Sequence, residues 1–285
     1  MSEALSPKMA SANDRTRTWL RLDNAGLIYP ATYSKTQNHL YRLTAELSEN
    51  VQETVLATAL QAVLPRFPSI AVSLHRGVFW YYFEPLTQAP AIQPEGPWPL
   101  MPMSFRSIRR CGFRVLTDGK RLSLEFFHAI TDGGGSMIFF KTLLAEYVER
   151  RYGITVPCTD GVLDRHEAPS AAELEDCFAR FAGPSTRRHD GVKAYQLKGT
   201  LENDGYLTWT TLTYDVQETI ACAKAHGVTL TGLFCSAMLL ALERLQRKQR
   251  PHAKQRDVAV NVPVNLRRML KTPTLRDFSL FATVD

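Results

Sequence analysis

The sequence predicts an α/β fold arranged as a two-layer sandwich, because strand-like and helix-like segments follow one another in a mixed order. The 285 residues are 45% hydrophobic and 22% charged, so the chain has enough apolar side chains for a full core. Its length corresponds to about two domains or to one large domain. The irregular order of strands and helices argues against a doubly wound parallel sheet.

The first elements predicted are a strand, a helix and a hairpin. Asn50 is expected to cap the helix, with Glu53 in capping-box register, and Pro65 to end it. Turn residues between two β-rich runs indicate the hairpin, and a proline-rich segment after it indicates a loop. In order, the segments are a strand over 39–47, a helix over 50–65, a hairpin over 70–83 and a loop over 85–102.

The next unit holds the residues that bear chemistry. It consists of a strand over 113–116, a type I′ turn at Asp118-Gly119, a strand over 121–127 and a helix over 136–152. His128 has the same parity as Leu122 and Leu124 in the second strand. It is therefore predicted to point inward, into dry surroundings, at the end of that strand.

The second half begins after a segment with few strong signals, residues 154–192, which we interpret as a linker. Beyond it we expect a strand over 206–214, a helix over 216–226, a helix over 231–245 and strands over 257–264 and 278–285. The helix over 231–245 is apolar nearly all round, which predicts that it is buried. The expected organisation is a frayed N-terminus (1–25), a first lobe (26–153), a linker (154–192) and a second lobe (193–285).

Composition excludes several classes of protein. The net charge of +6 is mild, and no aromatic residues interleave with the basic clusters, so no nucleic-acid partner is expected. Those clusters are either solvated surface or a region that attracts a small molecule bearing phosphate. The longest apolar stretch, 233–242, is far below the ~20 residues of a membrane span. Five cysteines without a CxxC pair are interpreted as reduced thiols, and we expect a cytoplasmic protein with no metal site.

A short motif between the second strand and its helix carries the functional hypothesis. His128, Asp132 and Gly133 follow the pattern HxxxDG. A neutral imidazole can take a proton from a hydroxyl or amine that attacks an acyl carbon. Asp132 can pair with a distant cation, and the glycines with the helix start offer close approach and free N–H groups. The alternative is a hydrogen-bonded core histidine beside a turn.

The segment FFHAITDGGG resembles the HHxxxDG signature of the coenzyme-A-dependent acyltransferase superfamily. That superfamily includes chloramphenicol acetyltransferase, the condensation domains of peptide synthetases and alcohol O-acetyltransferases. The later segment PVNLR, which ends at Arg267, resembles a strand and arginine of the second half of these proteins. Phe127 replaces the first histidine, and Asp277 stands where members often have asparagine.

The resemblance implies two chloramphenicol-acetyltransferase-like lobes, the first complete and the second partial, with the site in a tunnel between them. His128 would be the general base, Gly133 would permit close packing beside the site, and Asp132 would pair with Arg267. The co-substrate would be acetyl-coenzyme A or another acyl-coenzyme A, with an alcohol or amine as the small-molecule acceptor. No cofactor would be bound permanently.

Two other functions stay open at this point. One is a condensation-type enzyme that takes its acyl group from a carrier-protein thioester. The other is a non-catalytic relative that keeps the fold for binding or regulation. The resemblance also implies that strands of the second lobe are missing, so we expect self-association through unpaired strand edges.

Overall fold

The computed structural model describes residues 19–34, 37–182, 193–197, 199–200, 202 and 206–285. Most of the predicted frayed N-terminus (1–18) and the last part of the predicted linker (183–192) lie outside these residues. The strands are β1 (Leu20–Arg21), β2 (Leu40–Glu46), β3 (Val72–Arg76), β4 (Tyr81–Pro85), β5 (Ile92–Pro94), β6 (Phe113–Asp118), β7 (Arg121–Phe127), β8 (Val260–Asn265) and β9 (Ser279–Val284). The helices are α1 (Ile28–Thr32), α2 (Glu53–Val63), α3 (Phe105–Ile108), α4 (Gly133–Tyr152), α5 (Cys177–Phe181), α6 (Val216–Ala225), α7 (Leu230–Gln249) and α8 (Leu266–Leu270).

The first half is built on a four-stranded sheet in the order β2-β7-β6-β5, in which only the β5–β6 pair is parallel. The predicted hairpin β3–β4 is present, and β1 extends it to a three-stranded sheet. Helices α2 and α4 pack against each other, and their apolar side chains form one core with those of β6 and β7. This mixed α/β architecture agrees with the predicted fold class.

Strand β7 is buried on both faces after its first residue, Arg121. Leu122 and Leu124 face the core as expected. Glu125, on the opposite face, has no exposed surface because Arg42 and Arg114 both contact its carboxylate. Two guanidinium groups thus neutralise a charge that would otherwise be costly to bury.

Helix α4 begins three residues earlier than predicted, at Gly133, because Asp132 caps it. Helix α2 begins three residues after Asn50, with Gln52 at the cap position and no side-chain cap, so the predicted capping box is wrong. The turn between β6 and β7 has a positive φ at Gly119 alone (57°), so it is not of type I′. The hairpin itself is as predicted.

The second half departs most from expectation. Residues 206–214 form no strand, because they hydrogen-bond to no neighbouring strand among the residues described. Helix α7 was predicted to be buried, but its large apolar residues Phe234, Met238 and Leu240 are exposed. The only sheet in this half of the described chain is the two-stranded β8–β9 pair, which is too small to cover the helix on all sides. No single described helix is long and apolar enough to cross a membrane; α6 and α7 reach that length and composition only together, across a bend of 80°.

The segment after α4 connects the two halves. Glu173 accepts hydrogen bonds from Nη1 and Nη2 of Arg66 at 2.7 and 2.8 Å, and its backbone carbonyl accepts from the amide of Leu275 at 2.9 Å. The Arg66 hydrogen bond lowers the pKa of the Glu173 carboxyl below its usual value. The described part of the predicted linker is therefore fixed to both halves of the chain.

Candidate active site

The predicted contact between Asp132 and Arg267 is present at the start of α4. Nη1 of Arg267 lies 2.6 Å from both carboxylate oxygens of Asp132, and both side chains are buried. Oδ1 of Asp132 also accepts hydrogen bonds from the amides of Gly134 and Gly135, at 2.9 and 3.0 Å. The carboxylate thus caps the helix and neutralises the guanidinium at the same time.

Arg267 also holds the segment that leads into β9. Its Nε donates to the carbonyl of Thr274 at 2.5 Å, and its Nη2 donates to the carbonyl of Arg276. The amide of Phe278 donates to Oδ2 of Asp132 at 2.8 Å. The network therefore joins Asp132, on the loop after β7, to Arg267, which lies 135 positions later, and through it to residues 274–278.

His128 stands directly after β7, on the loop that this network holds. Its backbone amide donates to the carbonyl of His39 at 3.0 Å. Its ring stacks on Tyr29, with centroids 4.5 Å apart and planes 18° apart, and meets Tyr41 at 4.9 Å. The side chain is 28% exposed, so the predicted inward position is only partly dry. Nδ1 is buried, and the exposed surface belongs to the rest of the ring.

Asp277 is the acidic neighbour of this imidazole. Its Oδ2 lies 3.5 Å from Nδ1 of His128, and its side chain has no exposed surface. Its other oxygen, Oδ1, accepts from the amide of Ser279 at 3.3 Å and from the Ser279 hydroxyl at 2.8 Å. The sequence marked Asp277 only as a departure from the usual asparagine. Nothing in the local pattern pairs it with a histidine 149 positions earlier.

Two further titratable groups lie beside Asp277. Asp23 is buried, and the loss of solvation raises its pKa to about 7, although the Arg276 guanidinium acts to lower it and the Asp277 charge adds to the rise. Burial also raises the pKa of the Tyr29 hydroxyl, and Asp277 adds to that rise through its charge and a hydrogen bond. The sequence does not single out Asp23, because this residue falls in the segment predicted to be frayed.

The glycines after Asp132 differ in role from the expectation for Gly133. A Cβ added to Gly133 would meet no atom within 4 Å, so nothing in the described structure packs closely against Gly133. The tight position is Gly135, where a Cβ would overlap Oγ1 of Thr131 and the carbonyl of Leu275. Gly134 is also crowded, since a Cβ there would come within 2.9 Å of the Arg267 guanidinium. The close approach predicted at the first glycine thus occurs at the second and third.

The amides at the start of α4 are mostly occupied, which differs from the predicted free N–H groups. The amides of Gly134 and Gly135 donate to the Asp132 carboxylate, and the amide of Ser136 donates to the Asp132 carbonyl at 3.0 Å. The amides of these three residues therefore bind Asp132, the residue that caps α4. Among the residues described, no group of three or more His, Cys, Asp or Glu side chains could hold a metal ion. The five cysteines are free thiols, as predicted.

Comparison with solved structures identifies the fold. The chain matches SgcC5 protein from Streptomyces globisporus, solved with (R)-(-)-1-(2-naphthyl)-1,2-ethanediol and sucrose, at 17% identity and a TM-score of 0.61, over 93% of this chain and 67% of that one. It matches polyketide synthase associated protein 5 from Mycobacterium tuberculosis at 16% identity and a TM-score of 0.57, over 94% and 67%. It matches the first condensation domain of the calcium-dependent antibiotic synthetase, in complex with substrate analogue 2a, at 15% identity and a TM-score of 0.57, over 93% and 69%.

These matches are structural only. No family profile matches the sequence, and no curated protein matches it. The chain spans about two thirds of the length of the three structures named. It has an α/β fold of the condensation-domain type, with a first lobe and part of a second.

Proposed function

We propose that this chain is a condensation-type acyltransferase in which His128 is the general base. The observation that carries the proposal is a partly exposed imidazole on a loop fixed by the buried Asp132–Arg267 pair. A structural core histidine would be expected to have its ring enclosed and both of its nitrogens bonded. This ring keeps an exposed portion at the junction of the two halves, where a substrate can reach it.

The proposed reaction transfers an acyl group from a thioester to an alcohol or amine. The acceptor oxygen or nitrogen attacks the thioester carbon while its proton moves to the imidazole. The tetrahedral intermediate then collapses, the C–S bond breaks, and the thiolate takes the proton from the imidazolium. The products are an ester or amide and a free thiol, with no acyl group on the protein. The Asp132–Arg267 pair keeps the loop in place throughout, because neither charge can leave its buried site at low cost.

The donor in this proposal is acetyl-coenzyme A or another acyl-coenzyme A, as in alcohol O-acetyltransferases. A carrier-protein thioester is the second candidate, since both donors present a phosphopantetheine arm. The second half carries a basic hollow whose charge would attract the phosphates of a donor. The hollow is lined by Lys193, Arg250, Lys254 and Arg256, with Asp257 as the one acidic member.

A thiol-release assay tests the proposal on the 285-residue chain. Acetyl-coenzyme A and an acetyl-phosphopantetheine carrier protein are each offered with a panel of alcohols and amines. Acceptor-dependent thiol release with either donor supports the acyl transfer. The donor that gives this release shows whether the acyl group comes from coenzyme A or from a carrier protein. If neither donor releases thiol above the rate with heat-denatured protein, the catalytic proposal is wrong and the binding or regulatory alternative takes its place.

A further inference from the structure

Two buried polar atoms face each other beside the proposed base. In the part of the chain that the structure describes, neither Nδ1 of His128 nor Oδ2 of Asp277 has a hydrogen-bond partner. The two atoms lie 3.5 Å apart, within ion-pair distance. Buried groups of this kind nearly always have a partner. The Tyr29 hydroxyl also hydrogen-bonds to the Asp277 carboxylate. Nδ1 of His128 is nevertheless directed at Oδ2, and a proton on Nδ1 would give both atoms a partner.

The surroundings of Asp277 fix which of its oxygens meets the imidazole. Ser279 donates to Oδ1 through both its amide and its hydroxyl, so Oδ1 is turned away from the ring. The Phe278 amide donates to Asp132, which anchors the backbone directly after Asp277 to the loop that carries His128. Oδ2 therefore faces the ring. Rotating the Asp277 side chain away would break the contacts of Oδ1 with Ser279.

The ring of His128 is held from the other side. Tyr29 stacks on it, and Tyr41, whose hydroxyl donates to the carbonyl of Thr131 at 3.1 Å, packs beside it. If the ring were turned over, Cδ2 would lie against Oδ2 and the imidazole would offer that oxygen no donor. The observed orientation is therefore the one that both groups can satisfy.

We propose that Asp277 is a positioning residue that accepts a hydrogen bond from Nδ1–H of His128. This inference rests on the function proposed above and deepens it. With its proton held on Nδ1, the neutral ring has its lone pair on Nε2, the nitrogen that must accept a proton. Asp277 stays ionised when Nε2 takes the proton of the acceptor, and its charge stabilises the imidazolium that forms. That proton leaves with the thiolate, so Asp277 never exchanges one.

The separation of 3.5 Å is longer than an N–H···O bond of 2.7–3.2 Å. Catalytic hydrogen bonds are often long before substrate binds, and they shorten in the reacting complex. Other charged groups close to this site are Asp23 and Arg276, which pair at 3.4 Å, and the Asp132–Arg267 pair. Asp23 and Asp132 thus each have a cation of their own, and the groups that face the Asp277 carboxylate are the imidazole and the Tyr29 hydroxyl.

The first test reads the tautomer of the wild-type chain directly. Long-range proton–nitrogen correlation spectra, recorded in the alkaline range where the His128 signals no longer move with pH, distinguish the protonated ring nitrogen of the neutral imidazole from the bare one. The His128 signals are assigned by their loss in His128→Gln. We expect the proton on Nδ1. A proton on Nε2 overturns the inference whether or not the chain transfers acyl groups, so this result is independent of the proposed function.

The second test uses Asp277→Asn, whose geometry the structure constrains. Because Ser279 donates to Oδ1, the amide oxygen takes that side and the NH₂ group faces Nδ1 of His128. The amide then donates to Nδ1 and holds the proton on Nε2, the wrong tautomer for a base. In the thiol-release assay we expect kcat to fall by about 100-fold or more, with KM within about twofold. The control is Asp118→Asn at the exposed β6–β7 turn, which removes the same charge and should keep full activity.

The outcomes separate the two proposals. A wild-type Nδ1–H tautomer that moves to Nε2 in Asp277→Asn supports the positioning role even if no acceptor yields thiol release. An unchanged tautomer or unchanged kcat in a folded Asp277→Asn overturns it. Should the variant fail to fold, the wild-type tautomer alone decides the question.

Discussion

At the scale of single residues, the proposed base His128 is partly exposed and its acidic neighbours are buried. The ring is partly exposed, while Asp277 and Asp23 have almost no contact with solvent. A group that must exchange protons with a substrate needs access, and the groups that orient it need protection from water to act strongly. A partly exposed imidazole beside buried carboxyl groups meets both requirements. Two predictions concern these residues.

The first prediction concerns His128→Ala. Removing the base should lower the acyl-transfer rate by about 100-fold or more, the usual contribution of a general base. The rate is measured by thiol release with the productive donor and acceptor, and folding is checked by circular dichroism. His226→Ala, on the exposed end of α6, is the matched control and should leave the rate unchanged. Near wild-type turnover in a folded His128→Ala would remove His128 from the mechanism.

The second prediction concerns pH and Asp23. Its pKa is about 7 in the folded chain and 3.8 at its ordinary value. Between these pH values the folded chain holds a proton that the unfolded chain has lost, so the free energy of unfolding falls as pH rises and levels off above about pH 7. The slope contributed is at most about 1.4 kcal/mol per pH unit.

Asp23→Asn should remove that slope, because its amide needs no proton to stay neutral. The measurement is urea unfolding of wild type and variant from pH 5 to pH 8, compared as a difference so that other titrating groups cancel. The variant should gain on the wild type as pH rises. A difference that does not change with pH would show that Asp23 ionises normally in the fold.

At the scale of secondary-structure elements, the sequence predicts what local patterns determine and misses what depends on distant partners. The hairpin β6–β7 follows from alternating apolar residues on either side of a turn. Helix α4 ends at Gly153, a glycine in the left-handed conformation that commonly stops a helix. Strand β5 was missed because its three residues lie in a proline-rich stretch and are extended only by pairing with β6. The Asp132–Arg267 contact was predicted through a resemblance, whereas Asp277 and Asp23 become neighbours of the site only through the folded chain.

A third prediction follows from the cap of α4. Asp132→Asn keeps an oxygen for the amides of Gly134 and Gly135 but leaves the buried Arg267 guanidinium without its counter-charge. We expect a loss of about 3 kcal/mol or more in the free energy of unfolding, measured with urea, together with lower activity. Asp118→Asn, which removes an exposed ion pair with Arg121, should cost less than about 1 kcal/mol. Normal stability with lost activity would instead give Asp132 a direct chemical role.

A fourth prediction compares two glycines in the first turn of the same helix. Gly135→Ala should lower the free energy of unfolding by about 2 kcal/mol or more, because its methyl group overlaps Thr131 and Leu275. Gly133→Ala has open space and should be neutral or stabilising by up to about 1 kcal/mol, since alanine favours the helix. Thermal and urea unfolding of the pair measure the difference. Equal stabilities would show that α4 and the Leu275 segment are not in close contact.

At the scale of the whole molecule, the two halves are unequal in how well they cover their apolar surface. The first half encloses one continuous core around β6, β7, α2 and α4. The second half exposes large apolar side chains on α7 and on β9, and within the described chain β8 and β9 pair only with each other. An apolar face beside open strand edges favours association with another chain.

The fifth prediction is that this 285-residue chain associates with itself through its second half. Light scattering coupled to size exclusion should give a mass above the 32.1 kDa of one chain, increasing with concentration. Phe281→Lys places a charge on β9, at a side chain that is 67% exposed, and should shift the population toward one chain. Phe79→Lys is the matched control, because Phe79 is 89% exposed but lies at the β3–β4 turn of the first half, so it should leave the mass unchanged. A stable single chain at about 100 μM would mean that the exposed face of α7 and β9 does not cause association by itself. An equal effect of both variants would mean that the contact between chains lies outside β9.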